Sequence, residues 1–197
     1  MDKVLIIIPT VNKEVNINLT YDLIKNIEET TDKNLYEIKI IRKEPHGCTK
    51  SINEGLKLAQ KKGMDVVILI DDIRWTDTNW LQKLHKEAHK KDVGIVSFQR
   101  NRRIIKGREF RYGLFGMCYI RKVILDMFGL LDENYRNWGP EQDYSYRLFL
   151  GGFEIKGIQI EEVHHLRTDS TMAENFSKEE IYRIKQEAID YEKQKWN

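Results

Sequence analysis

The chain has 197 residues, 41% of them hydrophobic and 32% charged, which suits one cored domain and excludes an intrinsically disordered chain. Its 33 Lys and Arg stand against 31 Asp and Glu, so a net charge of +2 argues for no polyanionic partner by itself. Two cysteines, Cys48 and Cys118, exclude a disulfide framework and a cysteine zinc site, and fit a reducing cytosol. The apolar run at residues 4 to 9 is far too short for a membrane span and lacks a signal-cleavage pattern. No transmembrane segment is expected, and the expected location is cytoplasmic, with peripheral attachment to a membrane left open.

Val4 to Ile8 is a continuous apolar strand, and the cluster from Pro9 to Asn12 reads as the turn that ends it. A helix is predicted from about Asn18 to Glu29, with Leu19, Leu23, Ile24 and Ile27 on its inner face. Tyr36 to Ile41 is a second strand, and Arg42 to Gly47 a loop. The next helix starts near Thr49 or Ser51 and stops at Gly63. Val66 to Ile70, all β-branched or Leu, then reads as a central parallel strand. Alternation of strand and helix predicts an α/β fold with a mostly parallel central sheet flanked by helices.

Asp71 and Asp72 follow that central strand directly. The carboxyl edge of such a sheet is where loops and helix N-termini form a crevice. Two adjacent carboxylates repel unless a cation lies between them, and a hard divalent ion such as Mg²⁺ or Mn²⁺ carrying phosphates meets that need. Capping of the helix that begins near Thr76 is the competing reading of Asp72.

Asn79 to Lys90 reads as an amphipathic helix. His85 and His89 stand four apart on it, a spacing able to chelate a metal, but the sequence places no carboxylate or cysteine beside them and they read as exposed. Val93 to Phe98 is a fourth strand. Arg100 to Arg111 packs six basic residues into a predicted loop, with Arg108 and Arg111 as candidate contacts for a diphosphate or an anionic acceptor. Tyr112 to Ile120 is an apolar run holding Gly113 and Gly116. Val123 to Phe128 is a short helix closed by Gly129. Pro140 suits the first turn of a further helix, with Glu141 and Asp143 at its electropositive end. Phe153 to Ile160 is a last strand, followed by Val163-His-His-Leu166. From Ser177, with Glu180 as partner in a capping box, a charged helix runs to Trp196, and its stripe of Ile181, Ile184, Ala188 and Tyr191 must pack on the body or on a second copy. The division expected is a domain over 1–170 and a helical tail over 171–197, the tail also being a possible homodimer contact.

Taken together, these pieces resemble the inverting nucleotide-sugar glycosyltransferases of family 2, which have the GT-A fold. The likeness rests on the opening Ile6-Ile-Ile-Pro-Thr-Val-Asn12, on Gly47-Cys-Thr-Lys-Ser-Ile-Asn-Glu-Gly55, and on the acidic Leu69-Ile-Asp-Asp-Ile73 followed by Asn79-Trp-Leu81. It continues through Gly116-Met-Cys-Tyr-Ile-Arg-Lys122, Leu131-Asp-Glu133 and Pro140-Glu-Gln-Asp-Tyr-Ser-Tyr-Arg-Leu148. Six such pieces in one order are far more specific than any of them singly.

The resemblance implies a metal-dependent transfer of sugar from a nucleotide-diphosphate donor to an acceptor hydroxyl. It implies that Pro9, Thr10 and Val11 hold the nucleotide, with Arg42, Lys50, Asn53 and Asp71 as further donor contacts. Asp72 and one of His164 and His165 would bind Mn²⁺ or Mg²⁺. Glu141 would be the general base, with Asp143 beside it, Arg147 bracing the helix and Trp138 meeting the acceptor. The acceptor implied is a glycan, a lipid-linked sugar or another hydroxyl compound, with modified DNA a remoter case. Three positions depart from the family pattern: Ile70 replaces a first Asp, Arg42-Lys43 follow the second strand where an acidic residue is usual, and Glu replaces Asp as base. A noncatalytic nucleotide-sugar-binding module and a nucleotidyltransferase are the other readings.

Overall fold

In the computed structural model, which describes residues 1–43, 48–166 and 176–196, the first strand, β1 (Val4–Val11), alternates its side chains between two cores. Val4, Ile6 and Ile8 enter one core, and Leu5 and Ile7 the other, as the twofold period of a strand covered on both faces requires. α1 (Glu14–Thr30) contributes Leu23 and Ile27 to the first core. β2 (Tyr36–Lys43) pairs parallel to β1 on its outer side. α2 (Cys48–Lys62) crosses the opposite face so closely that a Cβ on Gly55 would lie 2.5 Å from Ile7, which is why a glycine stands there. β3 (Val66–Leu69) is buried throughout and pairs parallel to β1 on its inner side.

β3 pairs with β1 only from Leu5 to Ile7, so the last residues of β1 are flanked on one side alone. Pro9 therefore sits in a strand without stranding a partner, and the predicted turn at Pro9 to Asn12 is instead strand as far as Val11. Beyond β3 come the two-residue β4 (Ile73–Arg74), α3 (Trp80–Ala88) and β5 (Val93–Ser97). The predicted basic loop is a hairpin of β6 (Arg100–Ile105) and β7 (Arg108–Gly113). Its two-residue turn, Lys106-Gly107, has positive φ at both positions, matching the twist of the flanking strands.

The hairpin returns the chain to the carboxyl edge of the sheet, so β8 (Met117–Ile120) has to run backwards. It inserts antiparallel between β3 and β5. α4 (Lys122–Phe128), α5 (Pro140–Leu150), β9 (Glu154–Gly157), β10 (His164–His165) and α6 (Lys178–Trp196) complete the order. The main sheet reads β2-β1-β3-β8-β5-β9, with α1 and α3 on one face and α2, α4 and α5 on the other. Serine and glutamate form the expected reciprocal cap before α6: Ser177 N–H donates to Glu180 Oε2 at 2.8 Å, and Glu180 N–H to Ser177 Oγ at 3.2 Å. The stripe of α6 is used within the chain, where Ile184 and Ala188 are buried. The segment from Pro45 to Gly47 and the boundary drawn at 170 lie outside the described residues.

Candidate active site

The acidic turn after β3 is held by the two elements that precede it. Asp71 is buried, and its Oδ2 accepts from the Thr10 hydroxyl at 2.8 Å and from Asn16 Nδ2 at 3.2 Å. Thr20 sits 3.1 Å from the Thr10 hydroxyl and donates to the Asn16 carbonyl at 2.8 Å. Arg74 donates to the carbonyls of Asp71 at 2.9 Å, Ile73 at 2.6 Å and Leu19 at 2.8 Å, closing the turn against α1. Thr10 and Asp71, both predicted donor contacts, are thus brought together. Pro9 and Val11 flank Thr10 at the strand end, and Arg42, in register with Thr10, stays exposed there.

His164 and His165 lie beside this turn. β10 pairs antiparallel with β4, placing His165 opposite Ile73, and the Leu166 N–H donates to the Asp72 carbonyl at 2.8 Å. Successive strand residues face opposite ways. His165 lies 5.8 Å, ring centre to ring centre, from Phe98, and Phe98 with Ile70 packs against Gly116 at the carboxyl ends of β5 and β3. His164 is opposite Arg74.

The segment that leads into the second acidic centre is tied to the start of α2. Cys48 N–H donates to Asn137 Oδ1 at 3.0 Å; Thr49 N–H donates to the Arg136 carbonyl at 3.3 Å, and the Thr49 hydroxyl donates to the Tyr135 carbonyl. These contacts pin the segment before Trp138 to the first turn of α2. Gly139 follows at φ +93°, where a Cβ would press on the Tyr135 ring at 3.0 Å, and α5 begins at Pro140. Burial first, and then the Glu141 and Asp71 carboxylates, push the Cys48 thiol up to about 11. One thiol therefore feels both acidic centres. Cys48 itself is exposed. Lys50 is exposed on the same turn of α2.

Glu141 is partly accessible, and burial raises its carboxyl above the usual range against the opposing pull of its own backbone N–H and of the Arg103 charge. Asp143, two residues on, has the opposite environment. It is fully buried, accepting from Arg147 Nε at 3.1 Å and Trp196 Nε1 at 3.2 Å and pairing with Lys195 Nζ at 2.7 Å. Its duty is to dock α6 and brace α5, so the expectation that it works beside Glu141 is corrected. Arg147 also donates to the carbonyls of Phe128 at 2.5 Å and Leu130 at 2.8 Å, the bracing role expected of it.

Further corrections concern Asn53, Arg108 and Arg111. The Asn53 amide is buried and spends both its ends on the next loop, donating to the Leu131 carbonyl at 2.9 Å and Glu133 Oε1 at 3.0 Å and accepting from Leu131 N–H at 2.9 Å. It clamps α2 to that loop rather than reaching the crevice. Arg108 lies toward Leu150, at the far end of α5 from Glu141, in a hollow of about 400 Å³ shared with Lys106, Tyr146, Lys195 and Trp196. Arg111 acts on Glu154, at the amino end of β9. The basic residue that does act on Glu141 is Arg103, which also pairs with Glu192 of α6 at 2.7 Å. Nothing in a run of six basic residues singles it out; only the alternation of the hairpin does. Trp138 is half-buried, with Lys185 Nζ 4.5 Å from its ring centre.

A helix-face pair also needs correcting. Asp65, just before β3, stands beside His85 and His89 at the amino edge of the sheet, and one ligand-type atom from each lies within 4.8 Å of the others. No helix among the described residues is long and apolar enough to cross a membrane.

Comparison with known proteins gives the same architecture. No curated protein sequence matches the chain significantly. Among solved structures, it is similar to a mannosyltransferase from Pyrobaculum calidifontis in complex with GDP-Man and Mn²⁺, at 14% identity and TM-score 0.59, over 80% of this chain. The chain spans about half of that protein's length, 55%. The catalytic domain of Drosophila beta1,4-galactosyltransferase 7 in complex with xylobiose is similar at 13% identity and TM-score 0.61, over 93% of this chain and 80% of that one. CMP:2-keto-3-deoxy-manno-octonic acid synthetase complexed with CTP is similar at 10% identity and TM-score 0.51, over 82% and 91%. At such identities these likenesses show the fold alone. The family profile of glycosyl transferase family 2 matches residues 20–149, from α1 to the last turn of α5. The chain belongs to glycosyl transferase family 2 and has the GT-A fold.

Proposed function

We propose that the protein moves a sugar from a nucleotide-diphosphate donor to an acceptor hydroxyl with inversion, using a divalent ion. The observation that supports this reading is that the Cys48 thiol, at the start of α2, feels the charges of both Asp71 and Glu141, as it would if the acidic turn and the first turn of α5 faced one cleft. The Mn²⁺ and GDP-Man of the mannosyltransferase complex and the sugar of the galactosyltransferase complex support the same assignment.

The residue types suit a divalent ion, since the turn that carries Asp72 is hydrogen-bonded to the strand that carries the histidines, which brings a carboxylate and an imidazole into neighbouring segments. Asp72, assisted by Asp71, and His165 would hold it. When bound, Mn²⁺ or Mg²⁺ supplies positive charge to the diphosphate. Thr10 and its neighbours at the end of β1 bind the nucleotide, with Arg42 and Lys50 at the rim. Glu141 accepts the proton of the acceptor hydroxyl as its oxygen bonds to the anomeric carbon. The bond from that carbon to the phosphate oxygen breaks with its electrons leaving on the diphosphate, and the single displacement inverts the configuration. Burial in the cleft raises the proton affinity of Glu141, which improves it as a base near neutral pH. Trp138, three residues earlier, offers its ring to the acceptor.

The experiment is a panel of nucleotide sugars screened by Mn²⁺-dependent thermal stabilisation, followed by transfer assays of wild type and Glu141→Gln with the donor that binds. Donor binding kept and transfer lost supports the reading, whereas unchanged turnover removes Glu141 from the mechanism. Pyrophosphate release from a nucleoside triphosphate would instead favour nucleotidyl transfer, a chemistry the same fold also accommodates.

A further inference from the structure

We infer that Asp65, His85 and His89 form a second metal site, for Zn²⁺ or a similar borderline divalent ion, at the amino edge of the sheet. Hydrogen bonding fixes the state of each ligand. His89 Nδ1 lies 2.9 Å from the His85 carbonyl, an acceptor only, so Nδ1 carries a proton and donates it. His89 Nε2 faces Asp65 Oδ2 across 3.4 Å. The Tyr119 hydroxyl donates to Asp65 Oδ2 at 2.7 Å, and its one proton being used there, it accepts from His85 Nδ1 at 2.9 Å. In their neutral forms, both histidines therefore present Nε2 as a lone pair.

A lone pair facing a carboxylate oxygen requires a cation between them, either an extra proton on His89 or a metal ion. Two observations favour the metal. First, the ring centres of His85 and His89 are 3.9 Å apart, so two imidazole nitrogens stand side by side against one carboxylate, a donor set that one divalent ion satisfies and one proton does not. Second, each ligand already has the outer partner that metal ligands use: a backbone carbonyl for His89, the Tyr119 hydroxyl for His85 and the Lys122 N–H, at 2.7 Å, for Asp65 Oδ1.

Closing a spread of 4.8 Å to the roughly 3.4 Å between ligands of a tetrahedral ion needs about 1.4 Å, shared among an exposed His89 and the half-buried His85 and Asp65. Two imidazoles and one carboxylate select Zn²⁺ over the harder Mg²⁺ or Mn²⁺. Asp65 and Asp71 are six steps apart along the strand, so this site lies on the order of 20 Å from the acidic turn. A bound ion would tie α3 to the start of β3 and the end of β8.

Chelator-treated full-length protein titrated with ZnCl₂ alone by calorimetry, with CoCl₂ absorption as a second reading of geometry, tests this. Wild type and Asp72→Asn, which lacks the carboxyl-edge ligand, are both expected to show a tetrahedral Co²⁺ spectrum and a rise in Tm, Asp72→Asn with a single equivalent bound. His89→Gln, at an exposed position and checked for folding by circular dichroism, should lose that spectrum and bind Zn²⁺ at least about 10-fold more weakly, with Asp65→Asn as an independent second variant. Equal Zn²⁺ affinity in His89→Gln and wild type, or no uptake by wild type at about 1 mM, would overturn the site and leave an imidazolium–carboxylate pair.

Discussion

β3 has an aspartate beyond each of its ends, with histidines close by at both, yet the two edges of the sheet are built differently. At the amino edge, Asp65 is fixed by the Lys122 N–H and the Tyr119 hydroxyl, and its histidines come from one helix. At the carboxyl edge, Asp71 and Asp72 sit in a turn, and the groups around it come from β1, α1 and β10, with Cys48 of α2 within reach of the Asp71 charge, all far apart in sequence. The first arrangement is a small cluster on a closed surface. The second surrounds a cleft, because parallel strands deliver their loops and helix N-termini to the same edge. Residue type alone does not distinguish a fixed cluster from a cleft; the direction of the strands does.

The largest expected effect tests the carboxyl edge. Glu141→Gln should lower turnover by roughly 10³-fold with donor affinity retained, measured as kcat and donor Kd separately. Asp72→Asn should raise the Mn²⁺ needed for half-maximal transfer by about 10-fold or more, seen in a metal titration of the rate. Asp143→Asn separates the two carboxylates of α5: it leaves Lys195 and Arg147 without their buried counter-charge and should cost about 3 kcal/mol of stability in urea unfolding.

Acidification gives a subtler contrast. The raised Glu141 carboxyl should protonate as the pH falls while still above the ordinary 4.5, so kcat should decline on the acid side before other carboxylates titrate. Asp132 behaves in the opposite sense. Burial pushes it up, but Lys195, the Asn134 N–H and the Tyr191 hydroxyl bring it down to about 2, below its ordinary 3.8. A lowered carboxylate stabilises the fold above its unfolded value and ceases to as the pH falls through the folded one, so the docking of α6 should weaken between 3.8 and about 2, measurable by tryptophan fluorescence. The smallest effect is expected of Arg111→Gln, which should leave turnover within about twofold because its charge acts at the amino end of β9.

Much of this architecture could be read from hydrophobic period. Both-face burial made β1 and β3 continuous apolar runs, and Pro140 and Gly129 marked helix ends where they are found. Strand direction could not be read, since Met117 to Ile120 looks like any buried strand and reverses only because the hairpin delivers it to the carboxyl edge. The acidic turn, Glu141 and the His164-His165 pair were legible as segments. Their neighbours were not: Asn53 and Asp143 carry side chains typical of sites but are consumed by contacts to Leu131 and to α6, which no local pattern encodes. Asp65 was overlooked for the same reason, being twenty residues before His85 and brought to it only by the packing of α3 on the sheet.

The central claim is that the two acidic centres share one cleft occupied by a metal-bound sugar nucleotide. Crystals of the Glu141→Gln protein grown with Mn²⁺ and the donor identified by screening, with anomalous data collected at the manganese edge, measure it most directly. The account predicts a manganese peak within bonding distance of Asp72, with the donor's anomeric carbon turned toward residue 141. A donor and ion bound elsewhere on the molecule, or an anomeric carbon turned away from the first turn of α5, would contradict it.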